Sequence, residues 1–169
     1  ENHLYFTGRS KDMIIIHGRN YYPHDIEQVL QSIPEARPGC FLAFAYERKE
    51  QSEVLAVAVE IRSDLLKDRD MFERYVLPSV DKAICKAIRD SVQLDPEVRL
   101  YLEPGTIVKT SSGKVKHGFN RKNFQQDSFP GLIKRISGLE KNNNDGNRDQ
   151  IISLFHQIVG FEPNIRSTL

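Results

Sequence analysis

Gly8-Arg9-Ser10-Lys11-Asp12-Met13-Ile14-Ile15-Ile16-His17-Gly18-Arg19-Asn20-Tyr21-Tyr22-Pro23-His24-Asp25-Ile26-Glu27 is the stretch from which the architecture can be read. Met13 to Ile16 has strand character, and Leu4 to Thr7 before it reads as a short partner strand, with the turn residues Gly8 to Asp12 between them. The polar residues Gly18, Arg19 and Asn20 lead to Pro23, whose fixed φ and missing N–H suit the first position of a helix. Ile26, Val29, Leu30 and Ile33 fall on one face of that helix, and Pro34 limits it. On pattern alone this is a hairpin with glycines at positive φ, followed by a helix whose N-terminus is complemented by Asp25 and Glu27.

Outward from there, residues 40 to 46 and 54 to 61 are two apolar, strand-like runs on either side of the polar stretch Glu47 to Glu53. From Phe72, the positions Val76, Val80, Ala83, Ile84, Ala87, Ile88 and Val92 recur at three- and four-residue steps, which predicts a long helix covering the sheet. Pro78 inside that pattern predicts a kink, or a break at the preceding turn. Residues 98 to 102 alternate like a third core strand, and a loop starts at Pro104 and Gly105. The expected fold is therefore α+β: a small mixed sheet of about three core strands plus an N-terminal β-hairpin, flanked by helices, with a separate helical C-terminal tail.

Composition excludes several function classes. The chain has 169 residues, with Lys plus Arg 24 against Asp plus Glu 23, a formal net charge of +1. Such a balance gives no bulk field toward nucleic acid, and the aromatics are not interleaved with a basic patch. No apolar run approaches the roughly 20 residues needed to cross a bilayer. There is no secretory leader pattern, and Cys40 and Cys85 lack metal-type spacing and sit in apolar stretches, so buried free thiols and a cytoplasmic setting are expected. His17 and His24 have no partner at metal-ligand spacing, and no metal site is expected. The chain opens at Glu1 on a strand-like stretch, and we expect a piece of a longer protein.

The second informative segment is Gly105-Thr106-Ile107-Val108-Lys109-Thr110-Ser111-Ser112-Gly113-Lys114-Val115-Lys116-His117. Small hydroxyl residues, a glycine and a lysine in that order suit a mobile loop that presents one cation beyond the core strands. A Walker loop needs two glycines at its own spacing with a helix directly after, and only Gly113-Lys114 is supplied.

Taken together and in this order, the two segments resemble the C-terminal subdomain of the adenylate-forming superfamily of acyl-CoA synthetases, peptide-synthetase adenylation domains and luciferases. The first is similar to the family's hinge region and the helix start after it, the second to its Pro-Lys-Thr-x-x-Gly-Lys loop. The wording Ile-Ile-Ile-x-Gly-Arg-Asn-x-Tyr-Pro-x-Asp-Ile-Glu most closely resembles the fatty acyl-AMP ligases, over about residues 4 to 130. Val108 stands where the family often has proline, and His117 where arginine is common.

The resemblance implies that a fatty acid is activated with ATP to an acyl adenylate, and that the acyl group then passes to the phosphopantetheine thiol of an acyl carrier protein. It implies Lys114 as the catalytic cation, Arg9 as the contact to the ATP or AMP ribose and phosphate, and Lys11 as the hinge. A lysine ammonium suits charge that grows on transferring oxygens, and an arginine fork suits phosphate. Lys109 is open between phosphate or carrier binding and a solvated surface role. Mg2+ would come with the nucleotide, held mainly by an N-terminal adenylation domain of the same protein that is absent here, so residues 1–169 alone are expected to be inactive. The alternatives are a fatty acyl-CoA synthetase with CoA as acceptor, and a non-catalytic module binding a carrier or partner.

The expected division is residues 1–130 as the subdomain, 131–147 as a linker around Asn142 to Asn147, and 148–169 as a helical tail. The tail, with Ile151, Ile152, Leu154, Phe155, Ile158 and Val159 on one helical face, resembles the first helix of an acyl carrier domain. A terminal helix packed on the subdomain accounts for it equally well.

Overall fold

Ile14–Ile16 (β1) turns back on Arg19–Tyr21 (β2) through His17 and Gly18, which take φ of +50° and +74°. Two central residues at positive φ make the twist of the turn match that of the strands, so a two-residue connection closes the hairpin. The expected partner of this run, Leu4 to Thr7, lies outside the described residues. A computed structural model describes residues 12–47, 53–126 and 129–138. Arg9, Lys11 and the tail from 148 to 169 are likewise outside them.

Pro23–Leu30 (α1) begins on the proline, as expected. Ala36–Glu47 (β3) and Glu53–Ile61 (β4) are antiparallel. Pro38 and Gly39 fall where the pairing register shifts between Ala36 and Phe41, an irregularity that lets β3 accommodate a residue unable to donate to the ladder. A 3₁₀ turn at Ser63–Leu66 and a short helix at Arg69–Met71 (α2) lead into a π-helical stretch, Phe72–Val76, and then Leu77–Val92 (α3). The widened turn sits directly before Pro78, which lacks an N–H and crowds the carbonyl four residues back. The expected break is thus a wide turn continuous with the helix.

Val98–Leu102 (β5) pairs parallel with β4, so α2 to α3 form the crossover between them. His117–Gln125 is α4. Leu132–Ser137 (β6) then pairs antiparallel with β5, and the sheet order is β3-β4-β5-β6. The mixed sheet therefore has four strands. The fourth comes from the first residues of the stretch read as a linker, whose remainder from 139 to 147 lies outside the described residues.

Strand alternation divides the interior into two layers. Phe41, Ala43, Leu55, Val57, Val59 and Tyr101 face α1, α3 and the isoleucines of β1. Leu42, Phe44, Ala56, Ala58, Leu100 and Leu102 face Ile107 and Phe124. The second layer carries the loop after β5 and the helix that follows it. Inside the first, Arg99 is 1% exposed and holds Asp81 of α3 through Nε–Oδ1 (2.7 Å) and Nη2–Oδ2 (3.1 Å). The Tyr101 hydroxyl donates to the same carboxylate, and Arg99 Nη1 donates to the carbonyls of Pro96 (2.9 Å) and Gly138 (2.7 Å). A buried cation is tolerable there because its N–H groups are supplied with acceptors.

Cys40 and Cys85 are both buried and free. Among the described residues, no helix is long and apolar enough to cross a membrane.

Candidate functional site

Lys114 stands at the exposed tip of a small hairpin between β5 and α4. Lys109 and Val115 form an isolated antiparallel bridge, and the five residues Thr110 to Lys114 hang beyond it. Thr110 organises that turn: its N–H donates to the Lys114 carbonyl (2.8 Å), its Oγ1 accepts from the Lys114 N–H (3.1 Å), and its carbonyl accepts from the Gly113 N–H (2.9 Å). Ser112 Oγ lies 2.9 Å from Thr110 Oγ1, and Gly113 takes φ +79°, a left-handed torsion that suits glycine. The segment expected as a mobile loop is thus closed by its own hydroxyls. Among the described residues nothing hydrogen-bonds or ion-pairs with the Lys114 ammonium.

The base of the hairpin is held from three sides. Glu60 of β4, fully buried, accepts the Ile107 N–H on Oε1 (2.6 Å) and Arg37 on Oε2 (2.8 Å). Asn120 of α4, also fully buried, accepts the Val108 N–H (2.9 Å) and donates to the carbonyls of Val108 (2.9 Å) and Lys116 (3.0 Å). Glu27 of α1 accepts the Ala43 N–H of edge strand β3 (2.9 Å) and pairs with His117 Nε2 (2.8 Å). That hydrogen bond, supported by the negative charges of Glu27 and Asp12, raises the His117 pKa against the opposing effect of burial.

Two of the three lysines of the segment part company. Lys109 points inward, its Nζ 3.0 Å from Cys40 Sγ beside the irregularity in β3, whereas Lys114 faces outward. An exposed ammonium on a braced hairpin can place a point charge against oxyanions presented by another body. Arg9 and Lys11 lie outside the described residues, so their placement relative to Lys114 is not part of this geometry. His17 and His24 are exposed, and among the described residues no group of three His, Cys, Asp or Glu could hold a metal ion. Glu60, Thr110 and Asn120 escaped the sequence reading, and Glu27, expected with Asp25 to complement the N-terminus of α1, instead lies beyond its first turn and serves β3 and α4. Their partners lie too far along the chain, or in too irregular a turn, to leave a periodic signal. His117 drew notice only as a departure from the family pattern.

Residues 18–122 match the family described as AMP-binding enzyme C-terminal domain. A medium-chain-fatty-acid–acyl-carrier-protein ligase from Moorena producens is 34% identical over 142 residues, 83% of this chain and 23% of the relative. A long-chain-fatty-acid–AMP ligase from Mycobacterium tuberculosis is 30% identical over 129 residues, 76% of this chain and 21% of that protein. The fatty acyl-adenylate ligase of L. pneumophila, solved in complex with acyl adenylate and pyrophosphate, superposes with a TM-score of 0.55 at 26% identity, covering 78% of this chain and 21% of its own. The chain thus spans about a fifth of the length of the curated relatives it matches.

Proposed function

This chain belongs to the AMP-binding enzyme C-terminal domain family, and from that premise we propose that it is the lid of a fatty acyl-AMP ligase in which Lys114 is the catalytic cation. A fatty-acid carboxylate oxygen forms a bond to the α-phosphorus of ATP while the bond to pyrophosphate breaks. The Lys114 ammonium lies between the attacking carboxylate and the phosphate oxygens, where charge grows in the transition state. The thiol of a carrier protein then gives up its proton and its sulfur bonds to the acyl carbon as AMP leaves. Arg9 contacts the nucleotide ribose and phosphate, and Lys11 is the pivot on which the lid turns between the two steps. The rest of the ATP and acyl sites belongs to the N-terminal domain, so the chain by itself is inactive.

The observation that carries this reading is an exposed ammonium, unpartnered among the described residues, on a hydrogen-bonded hairpin inside the segment that matches the family. The relative named for an acyl carrier protein favours that acceptor. In the full-length enzyme, Lys114→Ala is expected to slow acyl-adenylate formation by about 10²- to 10³-fold, read as fatty-acid-dependent pyrophosphate release. Near-normal release would remove the lysine from the chemistry. Offered CoA and a holo carrier side by side, the enzyme is expected to load the carrier, and efficient acyl-CoA formation would overturn the choice of acceptor.

A further inference from the structure

We propose that Asn120 is the positioning residue for Lys114, an assignment that rests on the catalytic reading of that lysine. The Asn120 side chain is sealed from solvent and spends its amide on backbone groups of the hairpin stem: the Val108 N–H, the Val108 carbonyl and the Lys116 carbonyl. Val108 and Lys116 are the two legs of the stem, tied to each other by the Lys116 N–H on the Val108 carbonyl (3.0 Å). Thr110, two residues beyond Val108, fixes both the N–H and the carbonyl of Lys114. One amide therefore sets the separation and twist of the legs, and the turn transmits that setting to the lysine.

The side chain is not needed to build the helix that carries it. Asn120 enters α4 through its own main-chain N–H on the Lys116 carbonyl (3.0 Å), and α4 is anchored on the sheet by Phe124, which stacks edge-on with Phe44 and Tyr46. Loss of the amide leaves those attachments in place and frees the legs. A cation misplaced by about 1 Å costs on the order of 100-fold in rate. Asn120→Leu removes all three bonds while keeping the number of side-chain heavy atoms. Asn120→Asp keeps the acceptor for Val108 N–H and turns a carboxylate toward two carbonyls.

The test is a double-mutant cycle on the full-length enzyme, with adenylation read as pyrophosphate release, transfer read from supplied acyl adenylate to holo carrier, and thermal unfolding followed in parallel. We expect Asn120→Leu to slow adenylation about 100-fold, to change transfer by less than about threefold, and to have no further effect when added to Lys114→Ala. If Asn120→Leu does not fold, Asn120→Asp is read by the same criteria. An Asn120 variant that slows adenylation equally with Lys114 present or absent, or that leaves it unchanged, overturns the positioning role while the lysine assignment stands. If Lys114→Ala itself leaves adenylation intact, the functional reading falls and takes the positioning role with it.

Discussion

Glu27 serves two elements with one carboxylate, capping an otherwise open N–H on edge strand β3 and holding His117 at the start of α4. Its effect on His117 makes the bond pH-dependent. The folded-state pKa is raised above the ordinary value of 6.5, so the stability it contributes is present in full below that value and is lost as pH rises through the folded pKa. Asp12, from the segment before β1, is the other carboxylate that raises the pKa. In urea unfolding, Glu27→Gln is expected to cost more stability at about pH 5.5 than at about pH 8.5, since glutamine still accepts from Ala43 but cannot favour the imidazolium. Equal costs at the two pH values would separate the pair from stability. At this scale the sequence offered little: the exposure of Lys114 was legible from its loop, whereas no pattern singled out Asn120. Its role comes from burial and from two stem legs brought together in space.

Among the elements, α3 is tied to β5 by the Asp81 carboxylate between Arg99 and Tyr101. Asp81→Ala would leave a buried guanidinium short of its counter-charge and is expected to destabilise the fold by about 3–5 kcal/mol in denaturant unfolding. Replacing the three together by Leu, Met and Phe is expected to recover most of that loss. A cost below about 1 kcal/mol for the single change would mean that water reaches Arg99. The strands β3, β4 and β5 were visible because apolar residues alternate or run unbroken through them. β6 was not, since its buried residues Ile133 and Ile136 are three positions apart, with Lys134 and Arg135 between them. The register shift opposite Tyr101 and Leu102 and a position at the sheet edge account for that broken alternation. The β1–β2 turn was hidden for a different reason: His17 and Gly18 form a two-residue connection without an asparagine or aspartate to mark it.

Over the whole molecule, β3, β4 and β5 each contribute to both layers; β4 does so with Leu55, Val57 and Val59 on one side and Ala56 and Ala58 on the other. Opening either layer exposes a thiol or its surroundings, because Cys85 lies on α3 and Cys40 on β3. Burial, reinforced by Asp81, pushes the Cys85 thiol up to about 11. Both cysteines are therefore expected to resist an alkylating reagent at about pH 8 in the native chain and to react together across the unfolding transition. Fast native labelling of Cys85 would contradict the packing of α3 on β5.

Gly138 is held at both of its backbone groups, its N–H on the Glu97 carbonyl (2.7 Å) and its carbonyl on Arg99. It follows Ser137, which pairs with Val98 at the beginning of β5, while the lysine hairpin departs beyond Leu102 at the other end. Five residues of extended chain separate the two ends, roughly 13 Å between their outer α-carbons. Any domain joined downstream is thereby leashed to a fixed post on the far rim from Lys114. Its tether would have to span that distance to bring such a domain to the lysine hairpin.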